Sequence, residues 1–284
     1  MKYKILSTLI ASALLGGCFG NDDRAVHNTQ AFDPAVANMD VSYSCTDGTA
    51  GAAGVTDGYG KVNITPLTVV TTPETCSLLF VARSNSVDMS NGKSMAGVSY
   101  TVPKGMSVAG NLTTGTPLST LIAKSLGDEP YTEAAATQVL TDLGLDSLLN
   151  DGVSISDLLL NTEAVAASLP AASKSKLLAT TAVLSDTILN ADTSATAEEL
   201  SAAAEAISAT VLTTYPLYPS STADGTGDDI FLEIPKSTVD GAVADPEATV
   251  TLPPAQEAVP VDPTTPPTGG TGGTGGGSDD STGA

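Results

Sequence analysis

At Thr116-Pro117 the hydrophobic pattern of the chain changes period, which limits the fold to one in which strands and helices occupy separate stretches of sequence. Before that point Val41, Tyr43 and Cys45 alternate with polar residues, as do Val62 and Ile64 and then Val98, Tyr100 and Val102. Alternation of this kind is the signature of a half-buried strand. Leu78-Leu79-Phe80-Val81 is a continuous apolar run and predicts a central strand covered on both faces. Asp57-Gly58 and Asn91-Gly92 predict tight turns, because Gly, Asn and Asp tolerate positive φ. Short strands and turns of this kind over residues 40–115 predict a small β-sandwich.

After the switch, Thr116 can cap a helix whose first position takes Pro117. Leu118, Leu121, Ile122 and Leu126 then share one helical face, and Ala136, Val139, Leu140 and Leu143 share the next, with Gly144 as a stop. Ser156 to Leu169 and Ser173 to Asn190 predict two further helices, the second striped by Leu177, Leu184 and Ile188. Thr196-Ala197-Glu198-Glu199 is a capping box and opens a helix that ends at Tyr215-Pro216. The fold class is therefore α+β, with a bundle of short helices over residues 116–216. Phe231-Leu232-Glu233-Ile234 could add one strand. Seven prolines from Pro246 to Pro267, followed by a run of Gly, Thr, Ser and Asp, predict that residues 217–284 are a mostly disordered acidic tail.

Residues 1–17 carry Lys2 and Lys4 ahead of an apolar run from Ile5 to Leu15. That run is too short to span a bilayer, which takes about 20 residues, and it matches a secretory signal. Leu15-Gly16-Gly17-Cys18 resembles the lipobox of bacterial lipoproteins. The resemblance implies diacylglyceryl transfer to Cys18, cleavage before it and acylation of the new amine. Phe19 stands where an inner-membrane retention signal would have Asp, so the resemblance points to a lipid anchor in the outer membrane. Whether the body faces the periplasm or the outside is left open. Residues 18–39, with polar Asn21-Asp22-Asp23-Arg24 and the single histidine, His27, are expected to be a solvated tether between lipid and fold.

With Cys18 assigned to the anchor, Cys45 and Cys76 remain in an oxidising compartment and are expected to form a disulfide. The alternative is a pair of buried free thiols; a redox pair lacks the C-x-x-C spacing. Removing residues 1–17 takes away two lysines and no acid. That leaves 9 basic side chains of the original 11 against 32 acidic ones, a formal charge of −23. This balance excludes nucleic acid as a partner, since that affinity comes from Lys and Arg displacing counterions. With no Trp, four Phe and seven Tyr, the core falls to Ala, Val, Leu and Ile.

Thr116-Pro117-Leu118-Ser119-Thr120-Leu121, with Leu143-Gly144-Leu145 further on and the Asp57-Gly58-Tyr59 turn before it, is similar to a pattern in adhesin-like bacterial surface lipoproteins. The resemblance implies an envelope protein without a shared enzymatic activity. Catalytic patterns are absent: there is one histidine for any Ser-His-Asp or Cys-His site, no G-x-S-x-G elbow, no zinc cluster, no P-loop and no dinucleotide fingerprint. Paired carboxylates are plentiful, but nothing in the sequence selects a pair. Asp224, Asp228 and Asp229 could gather around calcium in a flexible loop. Asn150-Asp151-Gly152 with Asp157 resembles the second half of a dockerin-type calcium loop, whose first half fails at Ser147 and Leu149. The expected function is structural or adhesive, in the cell envelope, without catalysis or a cofactor and with a protein partner. The alternative is a periplasmic ligand-binding or assembly-accessory lipoprotein with a pocket between the strand and helix regions.

Overall fold

The computed structural model describes residues 25–150 and 152–264. Cys18, the signal peptide and residues 265–284 lie outside them, as does Asp151. The protein is α+β. Strands β1 (His27–Ala31), β2 (Val36–Cys45), β3 (Ala50–Val55) and β4 (Lys61–Ile64) lead through a short helix α1 (Leu67–Thr71) to β5 (Cys76–Asp88), β6 (Ser99–Val102) and β7 (Thr113–Gly115). Helices α2 (Pro117–Leu126), α3 (Glu133–Asp142), α4 (Asp146–Asn150), α5 (Ile155–Leu160), α6 (Thr162–Ser168), α7 (Ala171–Asn190) and α8 (Ala197–Thr214) follow. The described chain then runs through β8 (Ile230–Phe231), α9 (Lys236–Ala244) and β9 (Gln256–Glu257).

The larger sheet has the antiparallel order β3-β2-β5-β6, and a smaller sheet has the order β4-β1-β7, in which β1 runs parallel to β7. On β2, Met39, Val41, Tyr43 and Cys45 point into the core, the alternation that the sequence carries. A bulge between Ala37 and Met39 interrupts its ladder with β5; Asn38 sits there at φ 65°, a conformation that Asn tolerates better than most residues. Cys45 lies directly opposite Cys76 and is disulfide-bonded to it, joining residues 31 apart at one end of the β2/β5 ladder.

Strand β5 departs from expectation. Leu78 and Phe80 are buried, but Leu79 and Val81 are 40% and 42% exposed, so the apolar run alternates instead of being covered on both faces. Their cross-strand neighbours on that outer face are Ser42, Asp40, Ser99 and Thr101, all polar. Phe80 packs toward β7, where a Cβ on Gly115 would stand 2.5 Å from its ring; that approach requires glycine.

The helices begin where their caps predict. Thr116 and Ser119 form a reciprocal capping box at α2, Thr132 accepts from Ala135 N at α3, and Thr196 and Glu199 repeat the box at α8. The helix expected from Ser156 to Leu169 is instead two, α5 and α6, broken at Asn161. Helix α7 is buried on several sides, including Ser175, Thr181, Ser185, Asp186 and Thr187. Thr181 and Thr187 return their hydroxyls to the Leu177 and Val183 carbonyls, so those polar groups are satisfied within the helix. A single apolar cluster runs from Val41 and Phe80 on the large sheet through Leu121 and Leu140 to Leu184 and Ile207.

Two boundaries move. The tether expected over residues 18–39 is, from His27 onward, strand: β1 pairs with both β4 and β7, and His27 is 2% exposed. The tail expected over residues 217–284 is folded throughout its described part, residues 217–264. Tyr218, Ile230, Phe231, Leu232, Ile234, Val239 and Ala242 are all buried, and α9 packs on α7 and α8. The prolines do not prevent this, because an extended segment needs few backbone donors of its own. Val259 N–H donates to the Asn91 carbonyl at 2.9 Å and Val261 N–H to Met89 at 2.9 Å, which straps the proline-rich stretch across the β5–β6 turn. Among the described residues no helix is long and apolar enough to cross a membrane.

Candidate functional site

The β1–β2 turn, the far end of β5 and its turn, helices α6 and α7, and residues 217–232 meet around a half-open cavity of about 520 Å³. Its walls are mainly apolar, with Phe32, Met95, Leu178 and Phe231 among them, while Asp33, Asp88 and Lys93 bring charge to the same space. Each charged group arrives there for a local reason. Asp33 sits in the Phe32–Ala35 turn that joins β1 to β2. Asp88 ends β5 opposite Val36 and folds over its own turn: Oδ1 accepts from Ser90 N and Ser90 Oγ, and Oδ2 accepts from Asn91 Nδ2 at 2.7 Å. Lys93 leaves that turn and reaches α7.

Lys93 Nζ donates to Asp186 Oδ1 at 2.6 Å and to the Leu232 carbonyl at 3.0 Å, while Asp186 Oδ2 accepts from Ile234 N at 2.8 Å. This buried pair therefore ties the sheet, α7 and the chain after α8 together. Beside it, Tyr100 Oη donates to Asp33 Oδ2 at 3.0 Å and lies 3.2 Å from Ser185 Oγ. Asp33 is 4% exposed, and its Oδ1 has no hydrogen-bond partner within the protein.

Burial dominates the electrostatics. It pushes the Asp33 carboxyl well above the usual carboxylate range, with the nearby Ser185 hydroxyl and the Lys93 charge opposing it. Burial likewise raises Asp88 to about 6 against the donors of Ser90 and Asn91, and raises Asp186 against its Lys93 partner. The Tyr100 and Tyr218 phenols are held well up, first by burial and then by the neighbouring aspartates. Three buried carboxylates thus share one buried ammonium.

The residues singled out from the sequence fall elsewhere. Asp224 Oδ1 accepts from Thr222 Oγ1, Thr226 Oγ1 and Thr226 N, which closes its own loop and lowers its pKa. Asp228 and Asp229 are exposed, and their carbonyls accept from Ser221 N and Ala258 N. Among the described residues no group of three or more His, Cys, Asp or Glu side chains is placed to hold a metal ion, so Asp224, Asp228 and Asp229 do not form the cluster that calcium was expected to need. Asp157 Oδ2 accepts from the α5 cap residue Ser154. His27, expected in solvent, is buried with Nε2 2.9 Å from Thr113 Oγ1, and burial lowers its pKa and favours the neutral ring.

The carboxylates at the cavity were not selected by the sequence. Asp33 precedes a proline and Asp88 precedes Met-Ser-Asn-Gly, contexts that read as turns. Asp186 is one polar position on a helix whose apolar stripe does not mark its neighbours as buried. Comparison with protein-family models, with curated proteins and with solved structures found no match.

Proposed function

We propose that the chain is an exported envelope lipoprotein, anchored at the outer membrane through Cys18, that binds a small ligand in its central cavity without performing chemistry on it. The observation that carries the ligand-binding part is the half-open, mainly apolar cavity of about 520 Å³ with a few convergent polar groups, the usual make-up of a small-molecule site. The disulfide supports export, since such bonds persist in oxidising compartments. The contact of Phe80 on the large sheet with Gly115 on the small one supports reading the two sheets as facing layers of a small sandwich, with the helices as a bundle beside it.

Native mass spectrometry of the full-length protein extracted from its own envelope tests the proposal. A bound small molecule is expected on the wild type and not on Ala182→Phe, which fills the cavity wall. A protein that carries no ligand in either form overturns it. A structural or adhesive role with a protein partner is the second reading, favoured by Leu79 and Val81, which stand exposed side by side on the outer face of the large sheet.

A further inference from the structure

The charged groups of the cavity are spent inside the protein, and one phenol is not. Asp88 has both oxygens bonded within its turn, and Asp186 has one bonded to Lys93 and one to the Ile234 amide. Lys93 is paired with Asp186 and gives a further donor to the Leu232 carbonyl. Asp33 Oδ1 lacks a partner, but it is sealed from the cavity space. Tyr218 differs from all of these. It lines the cavity and is only 6% exposed, and its hydroxyl makes no hydrogen bond among the described residues, yet that oxygen is not one of the sealed atoms. A buried tyrosine ordinarily pairs its O–H, so an open and unpaired one marks a place where an outside acceptor fits.

Two observations place this hydroxyl. The carboxylates whose charge acts on the phenol are Asp33, Asp88, Asp186 and Asp229, and three of the four line the cavity. The backbone that carries it is held by successive turns after α8: Tyr218 N donates to the Tyr215 carbonyl at 3.0 Å, and the Pro219 carbonyl accepts from Ile230 N at 2.8 Å, next to Phe231 in the cavity wall.

Resting on the ligand-binding reading above, we infer that the cavity takes a neutral carbonyl compound, a ketone, ester or amide on an apolar body, its oxygen accepting from Tyr218 Oη and its body against Phe32, Met95, Leu178 and Phe231. The phenol keeps its proton, since burial raises it above its ordinary value, and so it donates. A formal charge finds no place. An anion would meet no unpaired cation inside, because Lys93 is committed to Asp186. A cation would shed its water with no open carboxylate oxygen to replace it, because Asp33 Oδ1 is sealed and Asp88 is occupied by Ser90 and Asn91. The charges at the mouth, Glu163, Asp229 and Lys174, are exposed, where water screens any pairing. A neutral carbonyl asks for one hydrogen bond, which Tyr218 supplies.

Equilibrium dialysis of the full chain at pH 7 tests this with four probes that share one body: benzophenone, diphenylmethane, diphenylacetate and aminodiphenylmethane. Benzophenone is expected to bind roughly tenfold or more tightly than either charged probe, which would have to bury its charge uncompensated. Tyr218→Phe is expected to weaken benzophenone by about fivefold to tenfold and to leave diphenylmethane within about twofold, because only the hydrogen bond is lost. The infrared carbonyl band of benzophenone bound to the wild type should lie at lower frequency than in an alkane, and should return to the alkane value in the variant. A charged probe that binds as tightly as benzophenone, an equal effect of Tyr218→Phe on benzophenone and diphenylmethane, or an unshifted carbonyl band overturns the carbonyl inference and leaves the ligand-binding reading standing. Benzophenone binding that persists in Ala182→Phe lies outside the cavity and overturns it as well. No binding of any probe overturns the inference, and the mass-spectrometric experiment then decides separately whether the cavity is a site at all. Tyr218→Phe removes a hydroxyl without a partner, so its melting temperature is expected to be no lower than that of the wild type; should it fail to fold, the probe ranking and the carbonyl band on the wild type still decide the matter.

Discussion

Strands β2 and β5 are held at their two ends by opposite kinds of chemistry. At one end Cys45 and Cys76 close the ladder with a covalent bond among apolar neighbours. At the other, Val36 lies opposite Asp88, and the chain enters a network of buried charges whose partners come from α7 and from residues 232–234. The covalent end restricts the unfolded chain and needs little from the rest of the molecule. The polar end is stable only while distant segments supply its partners, because an ion taken out of water must be compensated locally. One pair of strands thus has a self-sufficient end and a dependent end.

Breaking the dependent end is expected to cost the most. Lys93→Met keeps the side-chain bulk but leaves Asp186 buried without a counter-charge, and should destabilise the protein by about 3–5 kcal/mol in denaturant titration. Adding Asp186→Leu should recover much of that loss, since two apolar groups tolerate the site better than one uncompensated ion; no recovery would mean that the pair is not the source of the effect. Removing the bridge with Cys45→Ala and Cys76→Ala should cost roughly 3–4 kcal/mol, the loop-closure value for that separation, and should leave the cavity's ligand retention in native mass spectrometry unchanged. Loss of the bound ligand in that variant would show that the two ends are coupled.

The smallest expected effect is the pH dependence. Burial raises Asp88 in the folded chain from its ordinary 3.8 to about 6. The folded protein therefore holds a proton that the unfolded chain has already released, and stability is greatest below about pH 4 and falls as pH rises through 6. From this group alone the fall is about 3 kcal/mol at most, on the usual equivalence of about 1.4 kcal/mol per pKa unit. Thermal melts between pH 5 and 7 should show the melting temperature rising toward acid, with a shallower slope in Asp88→Asn. An equal slope in the variant would remove Asp88 as its origin.

Much of the secondary structure was legible because its signals are local. Thr116, Thr132 and Thr196 cap the helices they precede, and the alternation on β2 faces the core as read. The disulfide was legible from the cysteine count together with the expectation of an oxidising compartment. Misreadings arose where the deciding contacts are distant. The polar stretch around His27 looks like linker until β4 and β7 pair with it, and the proline-rich stretch looks disordered until it meets Met89 and Asn91. A pocket between strands and helices was among the readings, but its charged residues escaped for the same reason: Lys93 and Asp186 are 93 positions apart, and each alone is indistinguishable from a surface charge.

That the proline-rich strap and the stretch from Tyr218 to Ile234 close the cavity has a consequence for the order in which the molecule is made. The strand ladder and its cysteines emerge first and can pair early. The wall holding Phe231 and the backbone that caps Lys93 and Asp186 emerge only after α8, so a growing or truncated polypeptide exposes its buried acids until residues 218–234 arrive. The proposed ligand site therefore depends on residues 217–258, and a stop codon after residue 216 would remove that wall while sparing the disulfide.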